Sequence, residues 1–332
     1  MTSKPDATRI ALFLAFAFGI AWAGAFVIYR HGGLTESPAL MPGSGLSLAL
    51  VILATVYMWA PALSHVLTRL ITREGWRGLY LSPRWVHSWV YLCGAWFVPA
   101  MLVTAGAYLY FFLFPQDHDR TYQSVQAMID QLAAASGRKI TIAPFDYMAV
   151  QIASAAFLAP IANVISTFGE EFGWRAYLQP KLLAFGYRKA MILTGVIWGV
   201  WHWPIIAMGY NYGLDSPGFP WAGMLAMVWF TIQLGVLFGW LTVRSRTVWP
   251  AVIAHAAVNG AVGIPFLFAH VKLVAAAGVP VFSFAAKTMP LLGPALTGLV
   301  AAIPMTALSL YLLWKPGGTI LAENGVTGAQ AT

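Results

Sequence analysis

The sequence predicts an all-α fold, a polytopic membrane helix bundle of about eight transmembrane helices. Three observations predict it. Apolar residues make up 59% of the 332 positions and charged residues only 9%, against about a quarter charged in a typical soluble domain. The apolar residues fall into stretches of about 20, the length that crosses the hydrocarbon as a helix. The basic residues gather at the ends of those stretches, where they determine topology. The net charge of +8 is therefore read as membrane orientation and not as a phosphate-binding face, so no nucleic acid is expected as a partner.

The elements follow in order. The first stretch runs from Ile10 to Tyr29 behind Lys4 and Arg9; it is too long for the apolar region of a signal peptide and is read as an uncleaved span. The second runs from Leu46 to Leu70, with Pro61 as a kink. The third, Val90 to Phe114, carries the single cysteine, Cys93, which excludes an intramolecular disulfide and reads as a small buried hydrophobe. The fourth begins near Tyr147 and continues past Phe168, and the fifth covers Ala190 to Ala207. The sixth spans Ala222 to Val243, the seventh Trp249 to Phe268, and the eighth Pro290 to Trp314 before a short polar tail. The chain divides accordingly into residues 1–146 (helices 1–3 and an outer amphipathic loop), 147–270 (core helices 4–7) and 271–332 (last helix and tail).

With the N-terminus inside, thirteen Lys and Arg fall in inner segments and six in outer ones, accounting for all 19. That bias places both termini in the cytoplasm of a multi-pass protein of the cell inner membrane. In the outer loop between Gln116 and Pro144, Tyr122, Val125, Ile129 and Leu132 recur at helical spacing, one apolar face of a short helix lying along the membrane surface. Asp117, His118 and Asp119 before it read as solvated loop, since adjacent residues rarely converge on one ion.

Ionisable groups inside spans are costly and usually face the bundle interior, so each is a functional suspect. The fourth span ends in Phe168-Gly-Glu170-Glu171-Phe-Gly-Trp-Arg175. Glu171 and Arg175, four apart, share a helix face and can pair, leaving Glu170 about 100° away and free. The alternative is that the trio marks the membrane boundary and snorkels to water. His202 stands among tryptophans roughly 18 Å into the fifth helix, and His255 and Asn259 share one face of the seventh. Each of these alone could be interhelical packing glue. Together, Glu170, His202, His255 and Asn259 supply a carboxylate and imidazole to activate water and donors for an oxyanion. Glu170, His202 and His255 are also a ligand set that could hold zinc. With no H-E-x-x-H and no cysteine-rich ligand set, no obligatory cofactor is expected.

These motifs resemble the CPBP family, which includes CAAX prenyl endopeptidases and bacteriocin-processing or immunity proteins and is marked by E-E-x-x-x-R, F-x-x-x-H and H-x-x-x-N on successive helices. Here they stand as Glu170-Glu171-x-x-x-Arg175, Trp198-x-x-x-His202 and His255-x-x-x-Asn259. Trp198 replaces the usual Phe, a change expected to bear on packing more than on chemistry. The resemblance covers roughly Met148 to Phe268. It implies an endopeptidase acting on a membrane-associated peptide or protein within the lipid bilayer. Glu170 and His202 would deprotonate water, Glu171 and Arg175 would hold the helix and tune the field, and His255 and Asn259 would stabilise the oxyanion. The family has been called metalloprotease, while a metal-free glutamate mechanism fits the same residues. A non-proteolytic scaffold or immunity protein shares the frame, and a proton-coupled transporter is a third reading, weakened by the absence of repeats.

Overall fold

The computed structural model describes residues 6–41, 46–276, 279–284 and 291–314. Lys4, Lys287, Pro290, Lys315 and the polar tail lie outside the described residues. In chain order come α1 (Ala7–Arg30), α2 (Leu48–Thr72) and α3 (Trp85–Leu113), then a short α4 (Gln123–Ser136). The site-bearing segments follow: α5 (Pro144–Phe185), α6 (Tyr187–Trp201), α7 (Trp221–Ser245) and α8 (Trp249–Phe268). A two-stranded antiparallel hairpin, β1 (Val271–Ala276) and β2 (Val279–Phe284), pairs Val271 with Phe284. The last element is α9 (Ile303–Trp314).

Among the described residues six helices are long and apolar enough to cross a membrane, and the count of eight is not reached there. The fifth stretch forms a helix of 15 residues and the eighth one of 12. At 1.5 Å per residue these extend roughly 22 and 18 Å, short of a hydrocarbon core of about 30 Å. The protein is an integral membrane protein. Helix α3 leaves Trp85, Val86, Trp89, Met101, Tyr108 and Phe112 exposed, a surface suited to lipid and too large an apolar face for water. Cys93 lies on this outer surface, contrary to the buried position expected of it: the helix is apolar all round, so composition did not tell its lipid face from its packed face.

Prolines and glycines shape the helices around the site. Pro160 has no N–H for the carbonyl of Ala156, and the indole of Trp96 donates to it instead at 2.8 Å. The chain there widens into a π-turn, Ser154–Leu158, and again at Trp174–Leu178. Helix α2 presses against the glycines flanking the glutamates. A Cβ on Gly169 would stand 2.7 Å from the carbonyl oxygen of Met58, and one on Gly173 would overlap Pro61. Small residues at these points allow backbones to touch.

Helix α4 does not lie free on a membrane surface. Val125 and Ile129 pack on Met148 and Leu267, so the expected apolar face meets protein, while Tyr122 and Leu132 stay exposed. The preceding acidic residues are likewise not solvated. Asp117 is buried and accepts from the Tyr110 hydroxyl at 2.7 Å. Asp119 is buried and accepts from the Ser124 N–H at 2.7 Å and from the Thr121 N–H and hydroxyl. Burial pushes the Asp119 carboxyl up, but these donors outweigh it and hold it below the usual range.

Candidate active site

The expected continuous fifth span is broken at the histidine. Helix α6 ends at Trp201, and a four-residue turn, Trp203–Ile206, resumes after His202. Pro204 has no N–H to continue the ladder. The Trp201 carbonyl would ordinarily receive the Ile205 N–H, which instead goes to His202. Two side chains from other helices satisfy it: the Tyr57 hydroxyl at 2.6 Å and the Trp22 indole at 3.1 Å. His202 is thereby seated at a helix end, with its Nδ1 2.8 Å from the Trp198 carbonyl oxygen. A carbonyl only accepts, so Nδ1 carries the hydrogen and the neutral ring keeps a lone pair on Nε2.

The paired glutamates are buried and differ in environment. Glu170 accepts from the Trp198 indole N–H, which reaches Oε2 at 2.7 Å. Glu171 is fully enclosed. Its Oε2 lies 3.1 Å from Nε of Arg175 and its Oε1 2.8 Å from Nδ1 of His255. Arg175 is also fully buried, so the trio does not snorkel to water. The guanidinium stacks over Trp198 at 4.5 Å and Phe238 at 5.2 Å, a desolvated cation held by a carboxylate and two rings. Paired with Arg175, the Glu171 carboxylate accepts and His255 Nδ1 donates. The His255 ring stacks on Phe238 at 5.5 Å.

Glu170, His202, His255 and Asn259 all line one cavity of about 300 Å³. Glu171 and Arg175 stand behind that wall. The remaining lining is largely apolar, including Leu53, Met58, Val103, Met227, Phe230 and Leu234. Sequence reasoning missed the further polar groups here, Asn163, Tyr57, Tyr210 and Asn211. Asn163 was findable, since it precedes Glu170 by seven residues, two helical turns on the same face. The tyrosines come from segments with no periodic link to the motifs.

Trp198 corrects an expectation. Its departure from Phe was read as a matter of packing, yet its N–H, which Phe lacks, is the donor to Glu170.

A family model described as type II CAAX prenyl endopeptidase Rce1-like matches residues 151–261, the stretch that holds Glu170, Glu171, Arg175, Trp198, His202, His255 and Asn259. Over this segment the chain is similar to that family. A relative described as CAAX prenyl protease 2, from Methanococcus maripaludis, is 31% identical over 94 residues. The match covers 27% of this chain and 34% of that protein, so the chain spans about a third of the relative's length.

Among the described residues no three His, Cys, Asp or Glu side chains are grouped so as to hold a metal ion. The set Glu170, His202 and His255 therefore does not fit a metal centre in this arrangement, and the description as a metalloprotease gains no support. Each of the three has one heteroatom engaged elsewhere, with Trp198 or with Glu171.

Proposed function

We propose that this protein is an intramembrane endopeptidase of CAAX-protease type that hydrolyses a peptide bond of a membrane-associated peptide or protein. The observation that carries the reading is the convergence of Glu170, His202, His255 and Asn259, from three separate helical segments, on one cavity of mixed polar and apolar lining. In this reading a water sits between Glu170 and the Nε2 lone pair of His202. Glu170 takes its proton through Oε1, the oxygen left free by Trp198, as the water oxygen bonds to the scissile carbonyl carbon. The carbonyl oxygen, now negative, accepts from the Asn259 amide and from His255 Nε2. For Nε2 to donate while Nδ1–H donates to Glu171, the ring must carry both protons, so His255 acts as an imidazolium. The buried charges then balance, Glu170 and Glu171 against Arg175 and His255. The intermediate collapses as the C–N bond breaks and Glu170 returns its proton to the leaving amine.

The apolar part of the lining favours a hydrophobic peptide segment. The relative's name, a prenyl protease, makes a farnesylated peptide ending in Cys-aliphatic-aliphatic-X the first probe. Purified protein should cleave an internally quenched version of it, and Glu170→Gln should abolish cleavage while leaving folding and expression nearly intact. Wild-type turnover by Glu170→Gln would remove the general-base assignment.

A further inference from the structure

We infer that Trp198 is a positioning residue for the reaction, its indole N–H holding one oxygen of Glu170 so that the other is presented to water. The inference rests on the general-base reading of Glu170 above. Among the described residues the indole is the donor that reaches this carboxylate, at 2.7 Å. A carboxylate in an apolar wall with no donor would be free to rotate about its last torsion, which is broad and roughly two-fold. One fixed N–H on Oε2 removes that freedom and defines where Oε1 lies. The same residue sets the second water partner, because its carbonyl oxygen accepts from His202 Nδ1 at 2.8 Å. Its ring also lies edge-on to His255 at 5.3 Å and beneath Arg175 at 4.5 Å.

Both groups that would hold the water therefore take their orientation from one residue, one through the side chain and one through the backbone. The backbone contact and the ring packing survive with Phe at this position. The N–H does not. A phenylalanine chain must hold its glutamate by other means, whereas this chain uses the indole.

The test replaces the N–H alone. Benzothienylalanine, introduced site-specifically at position 198, keeps the ring shape with sulfur in place of N–H, and Trp198→Phe is the simpler partner variant. With the farnesylated quenched peptide as probe, kcat should fall about tenfold to hundredfold, the scale of a lost hydrogen bond to a charged group. KM should stay within about twofold, because the aligned carboxylate matters chiefly in the transition state. The sulfur variant should keep the wild-type melting temperature. A wild-type kcat in the sulfur variant overturns the inference, and so does a raised KM with kcat retained. Unfolding of the sulfur variant makes the bond structural and also overturns it. Glu170→Gln run in parallel separates the two levels. If that variant turns over normally the Glu170 reading fails. If it is inactive while the sulfur variant is fully active, only the role of Trp198 fails.

Discussion

Replacing Glu171 with glutamine should unfold the protein far more easily than any surface change. Arg175 and Glu171 are both fully buried with Nε and Oε2 3.1 Å apart. At an effective dielectric of about 20, that separation corresponds to about 5 kcal/mol of attraction. Stranding one member of a buried pair costs about 3–5 kcal/mol, since the remaining charge keeps its desolvation penalty. Glu171→Gln also weakens the acceptor for His255 Nδ1. The expected loss is therefore about 3–5 kcal/mol, read from reversible unfolding in mixed detergent and SDS. The double variant Glu171→Met with Arg175→Met removes both charges together and should recover most of that stability. It should stay inactive on the farnesylated probe, because His255 has lost the carboxylate that supports its second proton. A Glu171→Gln variant within about 0.5 kcal/mol of wild type, the range of ordinary surface substitutions, would mean that the trio reaches water. A stable double variant with full activity would refute the role given to Glu171 in supporting His255.

Asn259→Ala should lower kcat by about 10²–10³ with little change in KM, the scale of one lost oxyanion donor; a change confined to KM would make Asn259 a binding group. Burial pushes the Glu74 carboxyl up, but the ammonium of Lys181 and the hydroxyl of Tyr177 outweigh it and hold it below its ordinary value. Its contribution to stability should be complete above the unfolded value of about 4.3 and vanish as pH falls through the lower folded value. Glu74→Gln should accordingly differ from wild type in unfolding experiments near neutrality and converge with it in acid. For topology, Ser136→Cys in a Cys93→Ala background should react with impermeant reagent from outside the cell; labelling only from the cytoplasmic side would reverse the proposed orientation.

The sequence made the candidate site legible because burial of charge in lipid is so costly that Glu170, Glu171, Arg175, His202 and His255 stood out against their apolar surroundings. Spacing alone predicted the Glu171–Arg175 pair, which lies one helical turn apart. It could not predict the bond from Glu171 to His255, which joins residues 84 apart. The same limit hid the Trp198–Glu170 contact, whose partners lie 28 apart. The break at His202 was masked by hydropathy, because a helix end and a helix interior carry the same apolar residues and only Pro204 marked the interruption. Asp117 and Asp119 misled in the opposite sense. Polar residues in a loop read as solvated, whereas Tyr110, Ser124 and Thr121 bury them.

The doubly bonded carbonyl of Trp201 has a consequence for what can be cut from this protein. Its donors, Trp22 and Tyr57, belong to α1 and α2, upstream of residues 151–261. Excising that segment, or grafting it behind unrelated helices, would leave a bare carbonyl in hydrocarbon beside His202, at a cost of several kcal/mol. The helix end would then pull toward any donor at hand and take the imidazole with it. Motif-bearing helices are thus lodgers in a frame built by the first two, and a hybrid chain would have to bring that pair of donors along to keep the histidine in its seat.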